Sequence, residues 1–166
     1  MKTIKMVCRK SLIFFLLPLL LFVAPLQAAT QMPSFALSDV MTGMDVKSDA
    51  FEGQTLLVTF FATWCPPCIQ EIPTLKTLHE ELADKNFSVL ALSVDQGGAS
   101  VVAKLIKQKE INYPVLMAKG STARDFGGVV GIPTSFLINS SGQVVKKYPG
   151  YVPHAILKKD IESILN

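Results

Sequence analysis

Histidine is scarce in this chain, with two residues in 166, and neither His79 nor His154 stands in a paired ligand spacing. A zinc site on the cysteines would need two further Cys or His ligands, so the sequence lacks the donors for one. Cysteine is nearly as rare: Cys8, Cys65 and Cys68. No cysteine stands directly after the apolar N-terminal segment, which excludes a lipid-modified N-terminal Cys. The six methionines do not cluster into a metal-binding array. A basic surplus is also missing from the body of the chain. Sixteen basic and thirteen acidic residues give +3, but removing Lys2, Lys5, Arg9 and Lys10 leaves twelve against thirteen, a net charge of −1. A nucleic-acid binder keeps a basic face on its folded part, so that class is excluded. No repeat suggests a solenoid, and 49 % apolar residues exclude a disordered chain.

What is present begins with the four N-terminal cations and the apolar run behind them, Ser11 to Leu26, broken by Pro18 and Pro25. It ends in Leu26-Gln27-Ala28-Ala29, where Ala28 supplies a small residue for cleavage. A positive start, an apolar stretch and a small-residue exit make a secretory signal over residues 1–28. Sixteen residues fall short of the roughly 20 that span a bilayer, although tilt lets such a segment serve as an uncleaved anchor. Residues 29–166 are expected to form a single domain around one core.

Within that part, Phe35 and Leu37 alternate as in a short edge strand, and Leu56 to Phe61 reads as a central strand covered on both faces. Pro66 falls at a first helical position, where a missing N–H costs nothing, and Ile69, Ile72, Leu75, Leu78 and Leu82 recur at helical spacing. Pro73 lies inside that helix and should kink it. A second buried strand runs from Phe87 to Val94, and Gly97-Gly98 breaks the chain before a helix carrying Lys104, Lys107 and Lys109 on its outer face. Pro114 to Met117 is a short strand, and residues 118–131 are loop-like with room for one helical turn. Ser135 to Asn139 and Gln143 to Tyr148 form a hairpin. A last helix from about His154 turns Leu157, Ile161, Ile164 and Leu165 inward. This order implies an α/β fold: a parallel core, an antiparallel edge and helices on both faces.

Cys65 and Cys68 stand as C-x-x-C where a buried strand meets a helix N-terminus. A disulfide over so short a loop adds little stability, so the pair reads as a redox dithiol. Unpaired N–H groups and the helix dipole favour a thiolate there. Cys65, ahead of the first turn, is expected to be exposed and to attack a partner disulfide. Cys68, one turn in, is expected to be shielded and to resolve the mixed disulfide. Pro66 and Pro67 offer no N–H, and no histidine or lysine lies between the cysteines, so pKa lowering should be modest and the couple nearer thioredoxin than a strong oxidant. Glu71, three residues past Cys68, is either a proton acceptor for it or a solvated glutamate on the first turns. Trp64 serves as a substrate platform, a packed lid or both. His79 and His154 are read as ordinary surface residues. A cis Ile132–Pro133 bond would turn the chain sharply, but sequence spacing does not decide it.

Phe60-Phe61-Ala62-Thr63-Trp64-Cys65-Pro66-Pro67-Cys68, with Glu71 and Pro73, resembles the active-site segment of the TlpA/ResA-like (CcmG/DsbE-like) thioredoxin-fold proteins. Gly128 to Asn139, followed by Gly142, is similar to their cis-proline segment. The resemblance covers roughly residues 33–166. It implies a thioredoxin fold, a central mixed sheet with helices on both faces, and a central insertion matching the helix and short strand at 99–117. It also implies an extracytoplasmic thiol–disulfide oxidoreductase, usually a reductant recharged by a membrane thiol donor of the CcdA or DsbD type. Oxidised exported proteins, apocytochrome c among them, are the implied partners. By position Cys65 matches the nucleophile, Cys68 the resolving cysteine, Glu71 the active-site acid and Pro133 the cis-proline. Trp64, Pro66, Pro67, Ile132 and Thr134 are the expected substrate contacts. No metal and no cofactor beyond the Cys65–Cys68 pair is expected. Thr59 stands where thioredoxin carries a buried aspartate, so proton transfer should fall to Glu71 or water.

Three other functions compete. An oxidase or isomerase on the same fold would differ in reduction potential. A peroxidase would need a lone cysteine after a threonine-containing loop, which is absent. A client-binding module without redox turnover would work without either cysteine.

Overall fold

A computed structural model describes residues 30–165. The export segment, Cys8 and the choice between cleavage and anchoring lie outside the described residues. Seven strands and four α-helices follow in the order β1 (Ala36–Ser38), β2 (Asp45–Lys47), β3 (Thr55–Phe61), α1 (Pro66–Glu81), β4 (Phe87–Ser93), α2 (Ala99–Lys109), β5 (Val115–Met117), α3 (Thr122–Asp125), β6 (Thr134–Ile138), β7 (Val144–Pro149) and α4 (His154–Glu162). Two short 3-10 turns, Ser48–Phe51 and Ala83–Lys85, lead into β3 and β4.

The main sheet has the order β5-β4-β3-β6-β7. β3 pairs in parallel with β4, and β4 with β5; β6 runs antiparallel to β3, and β7 to β6. β3 and β4 are buried along their whole length, as their unbroken apolar runs predict. Each crossover between parallel strands carries one helix, α1 then α2, so both land on the same side of the sheet. The arrangement is the mixed α/β thioredoxin-like fold, with α2 and β5 as the insertion.

Two apolar layers sandwich the sheet. On one side Leu57, Val89 and Leu137 meet Ile72, Leu75 and Leu78 of α1, Val102, Leu105 and Ile106 of α2, and Leu157 and Ile161 of α4. On the other, Leu56, Phe60, Leu90 and Leu116 pack under Leu37, Phe51 and Phe126. Helices thus lie on both faces, but unequally: among the described residues the second face has the single turn α3, the 3-10 turn at 48–51 and the β1–β2 hairpin. Each fully buried leucine in these layers contributes about 1.5–3 kcal/mol of transfer free energy. The inward positions expected of the last helix divide: Leu157 and Ile161 are buried on α4, while Ile164 and Leu165 lie past its end at Glu162 and are partly buried.

The β1–β2 hairpin was legible only in its first half. Asp45–Lys47 offers one apolar residue, Val46, too short a pattern to mark a strand, yet it pairs Ala36–Ser38, and Asp39 bridges to Leu116 so that the hairpin covers the free edge of β5. α1 passes through Pro73 as one helix, although that residue cannot donate to the Ile69 carbonyl. The histidines differ from expectation. Both are half-buried, and His79 Nδ1 accepts a 3.3 Å hydrogen bond from Val89 N–H. The reason is the shortness of β5, which reaches only to the level of Ala91 and leaves the Val89 N–H beyond it without a strand partner.

Candidate active site

The C-terminal end of β3 delivers the chain to Cys65, the residue before α1. Its N–H donates to the Ala62 carbonyl at 3.2 Å, and its own carbonyl accepts from Ile69 N–H at 3.1 Å. Cys65 and Cys68 are joined as a disulfide with Cα atoms 5.3 Å apart. Pro66 and Pro67 occupy the first two helical positions, so the N–H of Cys68 is the first-turn donor that reaches the Cys65 sulfur, at 3.3 Å. One expectation needs correcting. Cys65 is not exposed: 4 % of its surface is accessible, against 2 % for Cys68. The loop before β6 closes over it, with the Ile132 carbonyl oxygen 3.7 Å from Cys65 Sγ.

Glu71 lies three residues past Cys68 and is 1 % exposed, which removes the solvated-glutamate reading. Its carboxylate accepts from the Val152 N–H at 3.3 Å. Burial raises its pKa from 4.5 to about 7, and the Val152 hydrogen bond pulls it back only in part. Tyr113, just before β5, is buried nearby, and burial together with the Glu71 charge pushes its phenol up. Thr59, by contrast, holds no titratable group. Its hydroxyl oxygen accepts from the Ser135 hydroxyl at 2.9 Å, a closed and buried pair.

The Ile132–Pro133 peptide bond is cis. Pro133 is buried and its carbonyl accepts from Gly150 N–H at 2.7 Å, which ties the loop before β6 to the loop after β7. The second loop also carries Val152, so one short segment touches both Pro133 and Glu71. Beside the disulfide in the chain, Trp64 is 65 % exposed and Pro66 and Pro67 are exposed; on the two loops joined by the Pro133–Gly150 bond, Val130 is 102 % exposed, Tyr151 41 % and Ile132 half-buried. Trp64 is therefore no packed lid, because about two thirds of it faces solvent among the described residues. Thr134 departs from the expected contacts: it is buried, and its hydroxyl donates to the Gly131 carbonyl at 2.7 Å. Its side chain closes the turn and does not face outward.

Sequence reasoning missed Val130, Tyr113, Tyr151, Val152 and Asp95. Val152 acts through a backbone N–H, which no side-chain pattern reveals. Asp95 had a usable signal as the first charged residue past the apolar run of β4, at the carboxyl end of a parallel strand where α/β sites gather. Among the described residues, no group of three or more His, Cys, Asp or Glu is placed to hold a metal ion.

The redoxin family model matches residues 27–165. The thiol-disulfide oxidoreductase ResA of Bacillus thuringiensis subsp. konkukian is 30 % identical over 125 residues, covering 75 % of this chain and 71 % of the relative. A thioredoxin-family thiol:disulfide interchange protein from Chlorobium tepidum TLS has a crystal structure that superposes with a TM-score of 0.76. The two are 34 % identical, with 84 % of this chain and 98 % of that one covered. A second Chlorobium tepidum structure, of a candidate thiol:disulfide interchange protein DsbE, gives a TM-score of 0.77 at 32 % identity, covering 83 % and 97 %. With a disulfide-bonded C-x-x-C at the head of α1 on a thioredoxin-like sheet, this chain belongs to the redoxin family and is a thiol-disulfide oxidoreductase of the ResA/DsbE type.

Proposed function

We propose that the protein works outside the cytoplasm as a reductant of oxidised protein thiols. Cys65 attacks a client disulfide, and its sulfur becomes bonded to one client sulfur as the other leaves. Cys68 then attacks Cys65, releasing the reduced client and forming the Cys65–Cys68 disulfide. Glu71 takes the Cys68 proton in that second step, a task suited to a buried carboxyl with a pKa of about 7. The clients are exported proteins, apocytochrome c among them, and a membrane thiol donor of the CcdA or DsbD type returns the electrons. The cations and apolar run of residues 1–28 support export. The Cys65–Cys68 pair is the redox group, with no further cofactor.

The observation that carries the reducing direction is the hydrogen bond from Cys68 N–H to Cys65 Sγ, unassisted because Pro66 and Pro67 have no N–H to add. A thiolate so lightly stabilised leaves the reduced form ready to give up its electrons. The exposed rim of Trp64, Val130 and Tyr151 carries no charge, which suits an unfolded client presenting apolar side chains.

The test is the reduction potential of the couple in defined thiol buffers, read from the fluorescence of Trp64. A value near about −270 mV supports a reductant, and one near about −120 mV makes the protein an oxidase. Cys65→Ser should abolish exchange, and Cys68→Ser should accumulate mixed disulfides with clients. Full biological activity in the double variant would identify a client-binding module instead.

A further inference from the structure

A buried carboxylate that the exchange chemistry does not use lies under the turn between β3 and α1. Asp95 is 8 % exposed, two residues past the end of β4, and its side chain meets three donors. Thr63 gives two of them, its backbone N–H to Oδ2 at 2.9 Å and its hydroxyl to Oδ1 at 2.7 Å. The Ser93 hydroxyl gives the third, to Oδ2 at 2.9 Å, and accepts from Asp95 N–H at 3.2 Å. Val94 N–H donates to the Phe61 carbonyl at 2.9 Å, so the strand ends beneath this group are themselves joined.

The turn it holds is buried at its ends, Ala62 and Cys65, and open at its middle, Thr63 and Trp64. Residues 62–65 leave the sheet, and the Cys65 N–H to Ala62 carbonyl bond closes the turn on itself without fixing it to the body. Trp64 stands 65 % exposed on the outer side, followed by exposed Pro66 and Pro67. Asp95 holds Thr63 from below by two points, and two bonds to one residue fix its rotation as well as its place. Hydrogen bonds to a carboxylate in a water-poor setting are among the stronger ones available. Cys65 follows two residues later. The bond from Cys68 N–H to its sulfur is weak and depends on the sulfur lying over the first turn. A turn free to rotate at Thr63 would carry the sulfur away from that donor.

We propose that Asp95 is the positioning residue of the nucleophile: by gripping Thr63 it holds Cys65 where the Cys68 N–H meets its sulfur. This rests on the dithiol as the reacting group and is independent of client, compartment and direction of electron flow. A purely architectural Asp95, joining the ends of β3 and β4, would affect stability while leaving the reactivity of each folded molecule unchanged.

The experiment compares reduced wild type with Asp95→Ala, Asp95→Asn and Thr63→Ser. The probe is 5,5′-dithiobis(2-nitrobenzoate), with rates taken between about pH 5 and 9 and normalised to the folded fraction from circular dichroism. Asp95→Ala should slow the reaction about tenfold or more and move its pH midpoint upward, because the thiolate loses its donor. Asp95→Asn should return to within about threefold, since its oxygen can accept from Thr63 N–H while its amide donates to the Thr63 hydroxyl. Thr63→Ser, which keeps both donors, should match wild type. Glu71, the other buried carboxyl at the site, is present in every variant.

A wild-type rate and midpoint in Asp95→Ala overturns the proposal whatever the melting temperature. A downward midpoint also overturns it, because removal of a nearby negative charge would then be the dominant effect. So does a folded Asp95→Asn as slow as Asp95→Ala. Where Asp95→Ala fails to fold, Thr63→Val takes its place and should slow the reaction about threefold; an unchanged rate there sinks the idea. An unreactive wild type would instead count against the dithiol reading itself.

Discussion

Glu71 and Val152, 81 residues apart in sequence, meet at 3.3 Å, the carboxylate of α1 accepting the backbone N–H of the loop between β7 and α4. That contact joins the active-site helix to the segment that also hydrogen-bonds Pro133. It gives the buried acid a stabilising donor, the one found for it among the described residues.

The first prediction concerns that acid. Glu71 has a folded pKa of about 7 against 4.5 when unfolded, so between those values the native state binds the extra proton. Stability therefore falls as pH rises through that window and levels off above it, by up to about 3 kcal/mol. Glu71→Gln keeps the acceptor for Val152 and should remove this loss. Urea unfolding of the oxidised protein at about pH 5 and 8 should show wild type losing stability toward the higher pH relative to the variant, by about that amount.

His79 contributes with the opposite sign. Burial lowers its pKa below 6.5, so the unfolded chain is protonated first on acidification and stability is lost as pH falls below that value. Protonation also replaces the acceptor facing Val89 N–H with a donor. In the Glu71→Gln background this loss should stand alone. His79→Ala should cost about 1–2 kcal/mol at neutral pH and abolish it, as denaturant titrations would show.

The two faces of α4 give a packing test. Leu157 is fully buried against the layer that holds α1, whereas its neighbour Ile156 is half exposed. Leu157→Ala should lower stability by about 2–5 kcal/mol, and Ile156→Ala by less than about 0.5 kcal/mol, measured by chemical denaturation.

The exposed rim should separate client recognition from chemistry. Trp64→Ala and Val130→Asp alter side chains that stand in solvent, so both variants should keep wild-type melting temperatures. Their exchange rate with a small disulfide should stay within about twofold, while reduction of an unfolded, disulfide-bonded protein should fall about tenfold. Because the rim is uncharged, that second rate should change little between about 50 and 500 mM salt.

The sequence by itself determined the elements and the reactive pair. Short apolar runs bounded by breakers read as doubly covered strands, the stripe from Ile69 to Leu82 reads as one helix face, and C-x-x-C beside Pro66 places two sulfurs at a helix start. These are local patterns, set by residues close in the chain. Tertiary structure decided the rest, because it depends on what distant segments bring. Cys65 is covered because Ile132 lies over it, and the β1–β2 hairpin forms because the edge of β5 is there to receive it. Glu71 changes from a helix glutamate to a buried acid because Val152 and Tyr113 close around it. Asp95 grips Thr63 from 32 residues away, a distance in sequence that no spacing rule spans. Periodicity records which side of an element is buried; it does not record what buries it.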